Sequence, residues 1–408
     1  MPVMKVGPGR ALLYSGVEGI SYLLRDDFTD TLGAGAVNGT PAVPGPGTRV
    51  VVDTGNTLSL AGGNMVMART ANFDPGLWLD GVARTAGRLM VSHCNFGNIN
   101  NRLQVGWDST QNGQADPEFL RSLGVGLQWV NSALRLAPMI AARDYYFAIV
   151  LKTTGAYYFI KESTAYPNWV LLFMSTADAT TPLYPTVGAH NAWGAGNNTH
   201  TLLRVPEDLW LPTPLMYNTF TGPNGTSLDA VASDATGPDG QVTPTEMCTE
   251  QAGNWDIQAN RANPDGAGIA TWGVGKADVV IDCVVNGGAA GQPGIVLRYT
   301  DANNYWYLQA DRAANQLELH EMNGGVDTVR ANVAAVINDN TDYTLTAVAH
   351  GQRITGCINK GSAIVYTLAA LNEGVTVHGL WSDNTVCQFD NFLCFSRNGS
   401  YELDDFIL

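Results

Sequence analysis

Apolar and polar positions alternate with a period of two along most of this chain, in short runs broken by turn residues. In Gly294-Ile295-Val296-Leu297-Arg298-Tyr299, the side chains of Ile295, Leu297 and Tyr299 fall on one face of a pleated strand. A turn over residues 300–304 leads into Tyr305-Trp306-Tyr307-Leu308-Gln309, whose aromatic residues suit a pleated surface, so the two runs read as a hairpin. Residues 279–285 are apolar on both faces, the mark of a strand buried between two layers. Further strands are predicted at 316–320, 343–349, 354–359, 363–367, 375–381 and 386–395, separated by turn clusters such as Asn323-Gly324-Gly325 and His350-Gly351-Gln352. One short helical turn is expected over residues 116–122.

The first half follows the same grammar with longer insertions. Asp26-Asp27-Phe28-Thr29 is echoed by Asn218-Thr219-Phe220-Thr221. Leu58, Leu60 and Met65 match Trp255, Ile257 and Ala262, and residues 145–161 match the hairpin of 343–359. The two phenylalanines lie about two hundred residues apart, far beyond the period of a solenoid or propeller blade, so the repeated unit is a domain. The sequence therefore divides into an N-terminal arm (1–22), a first sandwich (23–205), a proline-rich linker (206–214) and a second sandwich (215–408). In the linker, prolines favour extended backbone and Trp210 is expected to pin it against one domain. The arm is more apolar around Ala11-Leu12-Leu13-Tyr14 than a solvated terminus needs, which favours order against a partner subunit.

Composition agrees with short strands and many turns: 45 glycines and 19 prolines in 408 residues, with only 14% charged. A net charge of −15 argues against a phosphate backbone as partner, since such binding draws on clustered Lys and Arg, and nucleic acid is not expected. Residues 169–174 form the longest strongly apolar run, far short of the roughly 20 residues of a membrane helix, so no membrane partner is expected. The glycines and proline of the first ten residues do not read as a secretion signal. The six cysteines lack paired zinc spacing and are expected as buried, reduced small hydrophobes.

Several motifs of the second half coincide. Gly294 to Tyr299 with Asp301-Ala302-Asn303-Asn304-Tyr305-Trp306-Tyr307, Tyr343-Thr344-Leu345, the turn Gly351-Gln352-Arg353-Ile354 and the closing Phe389-Asp390-Asn391-Phe392 resemble the laminin-G-like, concanavalin A-like lectin/glucanase superfamily. The resemblance implies a jelly-roll sandwich whose opening Phe-Thr segment and closing Asp-Asn-Phe strand are neighbours in one sheet. The first half, with Asp26-Asp27-Phe28-Thr29-Asp30, Pro44-Gly45-Pro46-Gly47-Thr48-Arg49 and Asp74-Pro75-Gly76-Leu77-Trp78, is similar to uncharacterised domains of tailed-bacteriophage structural proteins. The fold class expected is all-β: two tandem antiparallel β-sandwiches, jelly-roll and concanavalin A-like, behind a short arm.

Glucanases of that superfamily carry clustered carboxylates on one strand face, and the corresponding Glu-x-Asp-x-Glu is absent. The nearest candidate, Glu318-Leu319-His320-Glu321, places its two carboxylates on opposite faces and reads as a solvated edge. No Gly-x-Ser-x-Gly elbow occurs and the six histidines lack evident triad partners, so no enzyme is expected. Asp234 and Asp239 could lend oxygens to calcium, although an ordinary turn is the favoured reading and no cofactor is expected. For glycans, exposed aromatics beside amides or carboxylates are wanted. His190, Asn191, Trp193 and Asn197 form one such group, and Asp301, Asn303, Asn304 and Trp306 a second. Each has a plainer alternative, Trp193 as a cover for the sandwich end and Trp306 as core. The function expected is a non-enzymatic virion structural protein, a capsid decoration, tail or fibre component located on the virion. Its partners would be other virion subunits, copies of itself and host glycans. The alternative is a free carbohydrate-binding or adhesion protein, with a glycoside hydrolase further behind.

Overall fold

Strands that are apolar on both faces need a layer on each side, and each half of the chain places such strands at its centre. The computed structural model describes residues 20–53, 57–67, 76–96, 103–109, 143–164, 166–176, 183–189, 198–367, 369–398 and 403–404, and the backbone of strands Met4–Val6, Arg10–Leu12, Glu118–Leu123, Gly126–Trp129 and Arg135–Pro138. It contains four large antiparallel sheets stacked in sequence. The order in the second sheet is Tyr166–Met174, Ala156–Glu162, Asp144–Leu151, Leu89–Phe96, Asn198–Pro206, Asn64–Met67 and Leu58–Ala61. That of the third is Ala363–Thr367, Arg353–Ile358, Tyr343–His350, Val279–Asn286, Gln388–Ser396, Arg261–Pro264 and Trp255–Gln258. The two agree strand for strand in chain order, and so do the first and fourth sheets. The halves are thus two copies of one all-β sandwich.

In the first sandwich Leu77, Val105 and Val187 of one sheet meet Met65, Phe147 and Tyr158 of the other. In the second, Trp272, Leu297, Trp306 and Leu380 meet Ile281, Cys283, Leu345 and Cys394. The sandwiches then pack back to back: Val91, Val150, Tyr157 and Trp169 lie against Val280, Val348, Leu393 and Phe395. Tyr157 meets Phe395 edge to face, with centroids 5.2 Å apart. This explains why residues 279–285 are apolar on both faces, with Ile281 and Cys283 in their own core and Val280 in the interface. All six cysteines are buried and free.

The echoed tags share a conformation as well as a composition. Phe28 and Phe220 both sit at φ 52, each fully buried. Each ends a turn in which its backbone N–H donates to the side chain two residues earlier, Asp26 Oδ1 at 3.0 Å and Asn218 Oδ1 at 2.6 Å. The left-handed backbone costs an L-residue about 1–2 kcal/mol, and the burial of a phenyl ring offsets it. As the resemblance implied, Met216–Asn218 pairs with the closing strand, Asn218 opposite Phe392. Asn218→Ala removes the acceptor and is expected to cost about 1–3 kcal/mol in urea unfolding. A loss under about 0.5 kcal/mol would mean that ring burial alone holds the turn.

Trp210 fixes the linker on the first sandwich: its backbone N–H donates to Gly87 O at 2.8 Å, and its ring meets Phe159 at 5.5 Å. Residues Glu118–Leu123 form a strand, not the expected helical turn, because they pair with Leu103–Asp108 and Gly126–Trp129. Met4–Val6 and Arg10–Leu12 pair with each other.

Candidate functional site

The outer face of the fourth sheet gathers side chains that the core does not use. On Asn304–Asp311, Trp306, Leu308 and Ala310 point into the core, which leaves Tyr305, Tyr307 and Gln309 on the outside. Gln316–Asn323 likewise buries Leu317 and Leu319 and turns Glu318, His320 and Met322 outward. Register then aligns Val296, Tyr307, His320 and Val329 in one row across four strands. Ile269, Val296, Tyr299, Tyr305 and Tyr307 form an apolar floor, with Met322, Val377 and Trp381 packed against it.

Tyr307 is the centre of this face. Its ring stacks on Trp381 and on His320, with centroids 4.5 Å away on each side. Trp381 reaches it across Gly294, the residue opposite Trp381 on the intervening strand. A Cβ at Gly294 would lie 2.7 Å from Leu308 O, so this position takes glycine for its close approach to the next strand. The Tyr307 hydroxyl donates to Asp327 Oδ2 at 2.8 Å and lies 3.0 Å from His320 Nδ1. Burial and then the Asp327 carboxylate push this phenol well above its ordinary pKa, so it remains a donor at any physiological pH.

Both ring nitrogens of His320 face carboxylates: Nδ1 is 3.0 Å from Asp327 Oδ1, and Nε2 is 3.0 Å from Glu318 Oε2. Gln309 Nε2 donates to the same Glu318 oxygen at 2.9 Å. That bond fixes the amide, because the reverse orientation would set oxygen against oxygen. Gln309 Oε1 is then buried with no partner among the described residues. Of this constellation Asp327 is exposed and Trp381 half-buried, whereas Gln309, Glu318 and His320 lie beneath them. The surface is therefore aromatic, rich in acceptors and short of donors.

The sequence candidates fall differently. His190, Asn191, Trp193 and Asn197 lie outside the described residues. Trp306 does not face solvent: it is 1% exposed in the core, and its indole N–H donates to Leu371 O at 3.0 Å. Asp301, Asn303 and Asn304 form the hairpin tip beside Tyr299 and Tyr305, with the side chains of Asp301 and Asn304 engaged in the turn. Asp301 Oδ1 accepts from Asn303 N (2.8 Å) and Asn304 Nδ2 (2.9 Å), and Asn304 Oδ1 accepts from Gly324 N (3.2 Å). Glu318, His320 and Glu321 are not a solvated edge, since the strand Val326–Ala334 pairs outside them and each is under 9% exposed. Glu318 and Glu321 do diverge as expected: Glu321 accepts from Arg330 Nε at 2.6 Å, away from the His320 network. In the calcium candidate, Asp234 accepts from Thr219 (N and Oγ1), while Asp239 accepts from Thr153 N and Tyr157 OH across the interface.

A hollow of about 790 Å³ opens elsewhere, beside Lys276, Asp278, Glu373 and Asn398. Its central carboxylate, Asp278, is already occupied by Gly351 N, Arg298 Nη2, Asn398 Nδ2 and His350. Burial would raise the pKa of Asp278, but the bonds from His350 and Gly351 outweigh it and hold it at about 2. The hollow is thus a braced corner of the second sandwich.

No family model matches the sequence, and no curated protein does. Solved structures similar to it include a carbohydrate-binding module of Bacillus subtilis, 20% identical over 36% of this chain and 95% of its own, with a TM-score of 0.33. A galectin of Caenorhabditis elegans is 15% identical over 29% and 81%, at 0.25. A xylan β-1,4-xylosidase of Bacillus halodurans is 11% identical over 90% and 88%, at 0.33. At these identities and scores none assigns a role to a residue of this chain.

Proposed function

We propose that this chain binds saccharides without catalysis, through the outer face of its second sandwich. The observation that carries the reading is Gln309 Oε1, a buried acceptor without a partner beside Glu318 and an aromatic floor. Such an atom costs about 1–3 kcal/mol unless a ligand supplies a donor. Saccharides bring hydroxyl donors for Gln309, Glu318 and Asp327, and apolar C–H faces for Trp381 and the tyrosines. A binding role is further supported by the use of the carboxylates: Glu318 and Asp327 are each tied to His320, which holds them as fixed acceptors.

Trp381→Ala tests the site. Since the ring is half-buried and contributes contact area, its loss is expected to weaken oligosaccharide binding at least tenfold, about 1.4 kcal/mol, while thermal unfolding stays cooperative. Calorimetric titration after an oligosaccharide array reads it directly; unaltered affinity in the variant would remove this face from consideration. Placement on a virion, as a decoration, tail or fibre subunit contacting copies of itself and host glycans, is supported by the sequence resemblance alone. Mass spectrometry of purified particles tests that setting.

A further inference from the structure

The donor and acceptor balance of the same face narrows its ligand, and the narrowing rests on the saccharide reading. The seven strands of the fourth sheet carry no lysine and two arginines, Arg298 and Arg330. Arg298 is fully buried and donates to Asp278 and to Ala369 O, and Arg330 is held by Glu321. Two histidines remain on these strands: His378 is fully buried, with Nδ1 accepting from Arg298 N and Nε2 facing Lys276 O, and both nitrogens of His320 already face Glu318 and Asp327. Glu318 has one oxygen bonded by Gln309 and His320 and the other without a protein donor among the described residues, next to the orphan Gln309 Oε1. Asp327 adds an exposed carboxylate. A ligand here meets acceptors and negative charge together.

An ammonium group has three donors and no acceptor, so one such group can satisfy Glu318 and Gln309 while its charge faces the carboxylates. A carboxylated sugar would place like charge against them and find no free guanidinium or lysine on these strands. We infer that the outer face of the second sandwich binds amino sugars carrying a free, protonated amine in preference to their N-acetylated or acidic counterparts. The aromatic floor then takes the C–H face of the same ring, with Trp381 beside it.

The test compares three short oligosaccharides by calorimetry on the full chain near pH 6, where a sugar amine is protonated. They are β-1,4-linked glucosamine trimer, its N-acetylated counterpart and a galacturonate trimer, in about 0.15 M salt so that diffuse attraction is screened. The amine trimer is expected to bind at least tenfold tighter than the other two. Because any acidic protein attracts a polycation, the deciding variant leaves charge unchanged: Gln309→Met is expected to lose at least fivefold for the amine trimer. Asp327→Asn, at an exposed position, is expected to lose a similar factor and flatten the salt dependence. Equal or tighter binding of the N-acetylated or galacturonate trimer overturns the inference while keeping the saccharide site. Unchanged amine affinity in Gln309→Met, with a native melting curve, also overturns it. Absence of binding by any of these sugars, together with a blank oligosaccharide array, defeats the saccharide reading itself.

Discussion

Replacing Arg49 with methionine is expected to destabilise the first sandwich by about 3–5 kcal/mol, the usual cost of leaving one member of a buried ion pair alone. Arg49 is 0% exposed and meets Asp26, itself 0% exposed, through Nε at 2.6 Å and Nη2 at 2.7 Å. Its Nη1 and Nη2 also reach Asp30 at 2.7 and 2.9 Å. Burial works against the guanidinium charge, but the bonds it donates to Asp26 and Asp30 outweigh it and hold Arg49 charged beyond its ordinary range. The duplicated fold supplies a rescue. Asn218 occupies the Asp26 position in the second sandwich, where a neutral amide accepts the Phe220 N–H. Adding Asp26→Asn to Arg49→Met should therefore recover most of the loss, since the turn keeps its acceptor and the buried charge is gone. A double variant as unstable as Arg49→Met in urea would show that lost packing, not stranded charge, is responsible.

The same cluster sets an acid limit. The Arg49 bond, against a smaller opposing effect of burial, lowers the Asp30 pKa below its ordinary value. A depressed folded-state pKa contributes stability that is present above the unfolded value, about 3.9, and is lost as pH falls through the lower folded value. Stability measured from pH 5 downward should fall less steeply in Arg49→Met than in the native chain, because the variant has already lost that contribution.

Much of this architecture was legible in the sequence, because period-two alternation and turn residues are local signals. The hairpin of residues 294–309, the tandem repeat and the doubly apolar strand at 279–285 all appear as read. Choosing a face was harder. Trp306 stands in the sequence as a large aromatic near asparagines, yet it shares its side of the strand with Leu308 and Ala310 and lies in the core. Tyr305, Tyr307 and Gln309 alternate with it, and the glutamine among them was the available sign that theirs is the outer face. Glu318 and His320 looked solvated because their partners come from other strands: Gln309, Tyr307 and Asp327 reach them only through sheet register. The strand Val326–Ala334 carries no period-two signal because, as an edge, it leaves Val326 and Val329 exposed and shows no clean alternation of burial. The layer covering residues 279–285 was also invisible, since a doubly apolar strand announces that it is covered but not by what.

That cover carries the second large effect. On the interface face of the third sheet, Lys360 Nζ donates to both Asp282 oxygens at 2.7 Å and to Thr346 Oγ1 at 2.7 Å, with Lys360 and Asp282 only 4% and 8% exposed. The ammonium lies 5.1 Å from the centroid of Phe173, a residue of the first sandwich, so the pair is closed off by the back-to-back packing. Lys360→Met leaves the buried Asp282 carboxylate without its cation, with the Thr346 hydroxyl still donating to it, and is expected to cost about 3–5 kcal/mol, read as a lower urea midpoint. Asp282→Leu combined with Lys360→Met removes both charges and should return most of that loss, because attraction within a buried pair roughly balances the desolvation of its members. The outer sheet lies across the second core from this interface, with Trp381 and Gln309 on its far face, so saccharide affinity in the double variant should stay within about twofold of native. If the double variant is no more stable than Lys360→Met alone, the pair holds the two sandwiches in register, a role that apolar packing of Val280, Val348 and Phe395 does not replace.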